Sequence, residues 1–305
     1  MADTPIPRTP ITVLVAAVKQ LRPKQWLKNV FLFPALIFSG RFLEPEPVLR
    51  AVAGFAAFCL LSSAGYVLND WLDREADRKH PKKRLRPIAS GALPPLAAGL
   101  LFATCLGGGL VLSWALNPTF LLVATVYLAT TLSYSLYFKN VVLLDVLFLS
   151  AGFVWRVVAG AAAIEVHVSP WLLLTTVFVA LFFGFNKRRG ELLAVGAHTG
   201  TRRNLAEYSP QMLEQFQAIV TSGTIMTYLL YTVQGPTPWM TLTIPPVLYG
   251  MFRYIYLIDR RGEGGAPDET LLRDRAMLLA GVVYAVLTVV ILYCNQHGLL
   301  PDLLK

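Results

Sequence analysis

Asn69, Asp70, Asp73 and Asp77 form the pattern Asn-Asp-x-x-Asp-x-x-x-Asp in the most charged passage of an apolar chain. Residues three and four apart are neighbours on a helix, so this spacing predicts that all four share one broad face. Carboxylates converging there without counter-charges repel one another, and a divalent cation relieves the repulsion. Hard oxygen donors with no His or Cys favour Mg²⁺, which is held by one or two carboxylates together with substrate phosphates. The competing reading is a solvated face with ion pairs to Arg74 and Arg78.

Cations follow the acids. His80–Pro87 supplies Lys82, Lys83, Arg84 and Arg86 in a stretch stiffened by Pro81 and Pro87. Guanidinium forks suit phosphate oxygens, and His80 reads as a structural hydrogen-bonder rather than a base. Upstream, Lys24 and Lys28 either grip substrate phosphate or, with Lys19 and Arg22, anchor an amphipathic lead-in (1–25) to anionic lipid. A second charged stretch opens "NKRRGE", with Asn186, Lys187, Arg188, Arg189 and the single acid Glu191. Together these residues describe a metal–diphosphate site with extra anion-binding capacity.

The elements that carry them must be membrane helices. Charged residues are 15% of the 305, against about 25% in soluble domains. Apolar runs long enough to cross a bilayer fall near Trp26–Phe42, Val48–Leu68, Pro94–Leu116, Thr119–Leu136, Val142–Ile164, Trp171–Phe185, Met212–Val233, Met240–Ile258 and Ala276–Cys294. The expected fold is all-α: one integral-membrane domain (1–305), its nine transmembrane helices around a central cavity opening to the cytoplasm. Charged catalytic loops are expected at 69–93 and 186–211.

Lys and Arg crowd the loops after even-numbered spans, while Arg41, Arg50 and Lys305 alone lie on the other side. By the positive-inside rule, the N-terminus and the site are cytoplasmic, and Lys82 and Arg202 mark that face. The net charge of +9 is thus topological, which excludes nucleic acid as a partner. Cys59, Cys105 and Cys294 stand alone in apolar runs, as buried hydrophobes rather than ligands. Arg156 lies deep in the fifth run, too far from Asp145 along a helix to pair with it. It is placed outside the core site. The Asn69 and Asn186 openings, four helices apart, suggest pseudo-equivalent halves of one site.

The nine-helix plan and the Asn69–Asp77 motif resemble the UbiA-type intramembrane prenyltransferase superfamily. Typical members carry a second Asp-rich motif where this chain has Asn186–Glu191. That departure, with "LRPKQWLKN" (Leu21–Asn29), "HPKKRLRPIASG" (His80–Gly91), "YSLYFKN" (Tyr134–Asn140) and "AGFVWRVVAGA" (Ala151–Ala161), is similar to the decaprenyl-phosphate phosphoribosyltransferase branch. The resemblance implies transfer of 5-phosphoribose from phosphoribosyl diphosphate to a polyprenyl phosphate in a bacterial cell membrane, toward cell-wall arabinan. It implies that Asn69, Asp70, Asp73 and Asp77 hold Mg²⁺. It also matches Lys83, Arg84, Arg86, Tyr134 and Lys139 to substrate binding, and Lys187, Arg188 and Glu191 to the altered second motif. The rival readings are prenyl transfer to an aromatic acceptor and transport of an anionic lipid. Homo-oligomerisation is left open.

Overall fold

The structure is a computed structural model that describes residues 9–81, 83–195, 203–261, 270 and 273–301. Lys82, His198, Arg202 and Lys305 lie outside the described residues. Eleven α-helices are described: α1 (Pro10–Leu21), α2 (Pro34–Phe38), α3 (Pro45–Leu72), α4 (Arg74–Lys79), α5 (Pro95–Leu116), α6 (Pro118–Leu136), α7 (Leu144–Ile164), α8 (Pro170–Val195), α9 (Pro210–Gln234), α10 (Ile244–Arg261) and α11 (Arg275–Gln296). Proline starts most of them. At the first helical position its missing N–H costs nothing and its fixed φ suits the helix. Thr9, Ser209 and Asp274 add side-chain N-caps to α1, α9 and α11.

Among the described residues, six helices are long and apolar enough to cross a membrane: α3, α5, α6, α7, α8 and α11. The expected first span, Trp26–Phe42, is instead a 3₁₀ helix (Pro23–Leu32) followed by the short α2. Pro34 forces that break, because it removes a backbone donor and crowds the preceding turn. The expected loop at 186–211 begins as helix, since α8 runs through to Val195. Arg, Glu, Leu and Ala there are good helix formers, and polarity alone had marked the stretch as a loop. The 69–93 segment is also largely helical: Asn69–Leu72 finish α3, α4 follows, and Lys83–Leu85 form a 3₁₀ turn.

The chain divides into two compact units. The first comprises Met1–Leu36, Glu44–Ser135 and Trp155–Val166. Its core packs Phe58 edge-on against Phe120 and at a tilt against Tyr127, with ring centroids 5.8 and 4.8 Å apart. Close approach is built in at Gly160, where an added Cβ would lie 1.9 Å from the Leu32 carbonyl oxygen. The second unit comprises Ile37–Leu43, Leu136–Val154 and His167–Lys305. Phe182, Phe185, Leu213, Tyr254 and Leu257 lie at its centre. The three cysteines are free, with Cys59 and Cys105 buried.

Candidate active site

In the first unit the acid motif straddles the junction of α3 and α4. Asp73 ends one helix and begins the next at φ −88°, ψ 2°. The helical pattern is barely interrupted: Asp73 N–H donates to the Asn69 carbonyl at 2.9 Å and Asp77 N–H to the Asp73 carbonyl at 2.8 Å. The motif therefore keeps the spacing that the sequence predicted. Asn69 Nδ2 donates to Asp73 Oδ2 at 3.2 Å, while Asp70 and Asp77 are buried at 1% and 2% exposure.

The buried acids are not without counter-charges, contrary to expectation. Arg22 Nη2 lies 2.7 and 2.6 Å from Asp70 Oδ1 and Oδ2, and Gln20 Nε2 donates to Oδ2 at 2.9 Å. Arg86 Nη1 bridges Asp70 Oδ1 at 2.9 Å and Asp77 Oδ2 at 2.7 Å. Burying a carboxylate is costly unless it is paired and hydrogen-bonded, and these two arginines meet that need. The arginines read as solvating partners, Arg74 and Arg78, pair with Glu75 instead. Arg22 is a residue the sequence reading missed. It stands at φ 54°, left-handed, where α1 ends, and its guanidinium lies 4.8 Å from the Tyr66 ring centroid. A non-glycine residue held in that conformation was the one signal, and only the structure displays it.

The other cations differ in setting. Lys24 and Arg84 are exposed, while Lys28, Lys83 and, at the end of α6, Tyr134 are half-buried. His80 is the expected structural hydrogen-bonder, its Nδ1 accepting from Lys83 N–H at 3.2 Å. Arg156, buried at 6%, donates through Nε to Asn29 Oδ1 at 2.8 Å and through Nη2 to the Tyr127 hydroxyl at 3.0 Å.

The second unit separates the three cations of "NKRRGE". Arg188 is fully buried; its Nε lies 2.5 Å from Asp145 Oδ2, and Nη1 pairs with Glu191. Arg189 points elsewhere and pairs with Glu214 and Asp259 beside a cavity of about 530 Å³ walled by Gln217, Thr221 and Ser222. Lys187 is half-buried, as is Lys139 in the 3₁₀ turn Phe138–Asn140. Asp145 was missed in this role because its partner comes from another helix. Its Oδ1 accepts the Tyr208 O–H at 2.8 Å, and Tyr208 Oη accepts the Leu143 N–H at 2.8 Å. Burial pushes the Tyr208 phenol well above its ordinary range, so the hydroxyl stays protonated and donates.

Among the described residues no three His, Cys, Asp or Glu side chains form a ready metal cage. Mg²⁺ needs no such cage, since it commonly takes one or two carboxylates plus substrate phosphate oxygens. The hard oxygens of Asn69, Asp70, Asp73 and Asp77 fit that ion in kind.

The UbiA prenyltransferase family model matches residues 30–272, and the chain belongs to that family. It is 34% identical over 288 residues to a decaprenyl-phosphate phosphoribosyltransferase of Corynebacterium glutamicum, covering 90% of this chain and 86% of that protein. The corresponding Mycolicibacterium smegmatis enzyme is 32% identical, with 88% and 89% covered. Among solved structures, a UbiA homolog from Archaeoglobus fulgidus bound to GPP and Mg²⁺ superposes with a TM-score of 0.69 at 18% identity, covering 93% of this chain and 99% of that one.

Proposed function

We propose that this protein transfers 5-phosphoribose from phosphoribosyl diphosphate to decaprenyl or a similar polyprenyl phosphate, releasing diphosphate. The likeness to two phosphoribosyltransferases over nearly their whole length supports the reading. The observation that decides against prenyl transfer to an aromatic acceptor is the Asn186–Glu191 turn. In place of a second acid cluster, α8 presents Lys187, and its one acid, Glu191, is paired with Arg188.

The chemistry suits such a set. A phosphate monoester is already anionic near neutral pH, with its second pKa at about 6, so no strong general base is needed. One acceptor phosphate oxygen forms a bond to ribose C1 as the C1–O bond to diphosphate breaks, and the electron pair departs with the diphosphate. Asn69, Asp70, Asp73 and Asp77 would hold Mg²⁺, which would supply charge neutralisation for that leaving group. Lys83 and Arg84 neutralise further phosphate charge, while Arg86 holds Asp70 and Asp77 beside them. Lys24, Lys28, Tyr134, Lys139 and Lys187 bind the remaining phosphate oxygens of the two substrates. Arg188 acts from its buried pair, holding Glu191 where a carboxylate stabilises positive charge developing on the ribose ring.

The same reading assigns nine membrane crossings, a cytoplasmic N-terminus and site in a bacterial cell membrane, and a product used for cell-wall arabinan. The test is incubation of purified protein with labelled phosphoribosyl diphosphate, Mg²⁺ and polyprenyl phosphate. Labelled lipid and free diphosphate are expected. A protein that instead prenylates an aromatic acid from a prenyl diphosphate and ignores phosphoribosyl diphosphate sinks the reading.

A further inference from the structure

Leu143 has φ 66°. A leucine in the left-handed region is strained, because its Cβ crowds the neighbouring carbonyl, and such conformations persist only where the surroundings enforce them. Here the enforcement is visible: the Leu143 N–H is held at 2.8 Å by the Tyr208 hydroxyl. That hydroxyl in turn donates to Asp145 Oδ1 at 2.8 Å. The other Asp145 oxygen takes Arg188 Nε at 2.5 Å, and Arg188 pairs with Glu191. One oxygen atom thus closes a continuous chain from the turn after Phe138–Asn140 to the charged turn of α8. Lys139 lies four residues before Leu143, and Lys187 is the neighbour of Arg188 in α8. Tyr208 itself is 4% exposed and packs in the same core as Leu205 and Leu213.

We infer that Tyr208 is a positioning residue for the anion-binding part of the reaction: its hydroxyl sets the Leu143 turn and the Asp145–Arg188 pair, and so the placement of Lys139 and Lys187. This rests on the phosphoribosyl reading for its substrate, though not for its geometry. Sequence offers no sign of it, since Tyr208 is a lone tyrosine outside every motif. A tyrosine that merely fills the core would use its ring. A positioning tyrosine uses its oxygen, and phenylalanine separates the two roles because it keeps the ring and deletes the oxygen.

The experiment uses full-length protein in lipid nanodiscs, as wild type, Tyr208→Phe and the control Tyr228→Phe, whose deleted hydroxyl contacts Thr243 elsewhere in the same unit. Three quantities are read: affinity for inorganic diphosphate by equilibrium dialysis, KM and kcat for phosphoribosyl diphosphate, and amide exchange across residues 138–147. Tyr208→Phe should weaken diphosphate binding and raise KM by about ten-fold, the effect of disturbing one charge-assisted contact. The change in kcat should be small, the 138–147 amides should exchange faster, and the control should match wild type. Unaltered diphosphate affinity in Tyr208→Phe, or an equal loss in Tyr228→Phe, overturns the inference. If wild type binds diphosphate more tightly than Tyr208→Phe yet makes no labelled lipid, the phosphoribosyl reading fails and the positioning role stands.

Discussion

Arg156 and Asn29 meet through a 2.8 Å bond from Nε to Oδ1, so two sequence stretches that stood out separately, Leu21–Asn29 and Ala151–Ala161, are one piece of structure. Asn29 also donates to Cys59 Sγ at 3.3 Å and Ser62 Oγ at 3.4 Å, which fixes its amide orientation. Asn29→Ala should cost about 2–3 kcal/mol by stripping an acceptor from a buried guanidinium. Tyr127→Phe should cost about 1 kcal/mol, because the ring keeps its place 4.9 Å from the Arg156 guanidinium. Denaturation in matched detergent gives the order; a larger loss in Tyr127→Phe contradicts it.

Gly160 makes a sharper case. With a Cβ meeting backbone at 1.9 Å, Gly160→Ala should destabilise by about 3 kcal/mol. Gly99→Ala has nothing within 4 Å and should be neutral or stabilising by up to about 1 kcal/mol. Thermal unfolding of both variants is the check.

Asp73→Ala should abolish turnover and leave the fold intact, since the side chain is half-buried at a helix junction rather than packed in a core. Near-normal turnover at limiting Mg²⁺ would remove Asp73 from the metal set.

Lys187→Ala and Arg188→Ala should fail differently. Losing the Lys187 contact costs about 1.5–3 kcal/mol of binding to an anionic substrate, a ten- to hundred-fold effect with little change in Mg²⁺ dependence. Arg188→Ala strands the buried Asp145 and should cost about 3–5 kcal/mol of stability, appearing first as loss of folded protein. Paired donor and Mg²⁺ titrations, run beside a melting curve, separate the two outcomes.

Asp274 caps α11 by accepting the Met277 N–H at 3.0 Å, and the Arg253 guanidinium holds its carboxyl below the usual range. Asp274→Ala should cost about 1 kcal/mol. Because the folded-state pKa is depressed, the charge-dependent part is present above the unfolded value of about 3.9 and fades as pH falls through the folded one. Wild type and Asp274→Asn should therefore converge in stability at acid pH; a constant gap down to low pH contradicts the assignment.

Local pattern made the acid motif readable, because Asn69, Asp73 and Asp77 are positioned by a single helical repeat. The apolar runs also placed three helix starts, at Val48, Pro94 and Trp171, within three residues of the observed Pro45, Pro95 and Pro170. What stayed hidden depends on partners far away in the chain. Arg22 read as a lipid anchor because Asp70, its partner, is forty-eight residues off. Arg188 read as a phosphate grip because nothing nearby announces Asp145. Polarity at Asn186–Val195 suggested a loop where helix propensity and the Arg188–Glu191 pair keep α8 intact.

The Asp145–Arg188 pair has a bearing on how the chain enters the bilayer as it is made. Asp145 stands in the first turn of α7, and Arg188 follows forty-three residues later in the last third of α8. A buried charge is costly unless it is paired, and here each charge is the other's remedy. During synthesis the acid emerges first and waits for its arginine. The pair is therefore complete only once α8 has been made, and until then α7 carries a carboxylate without its arginine.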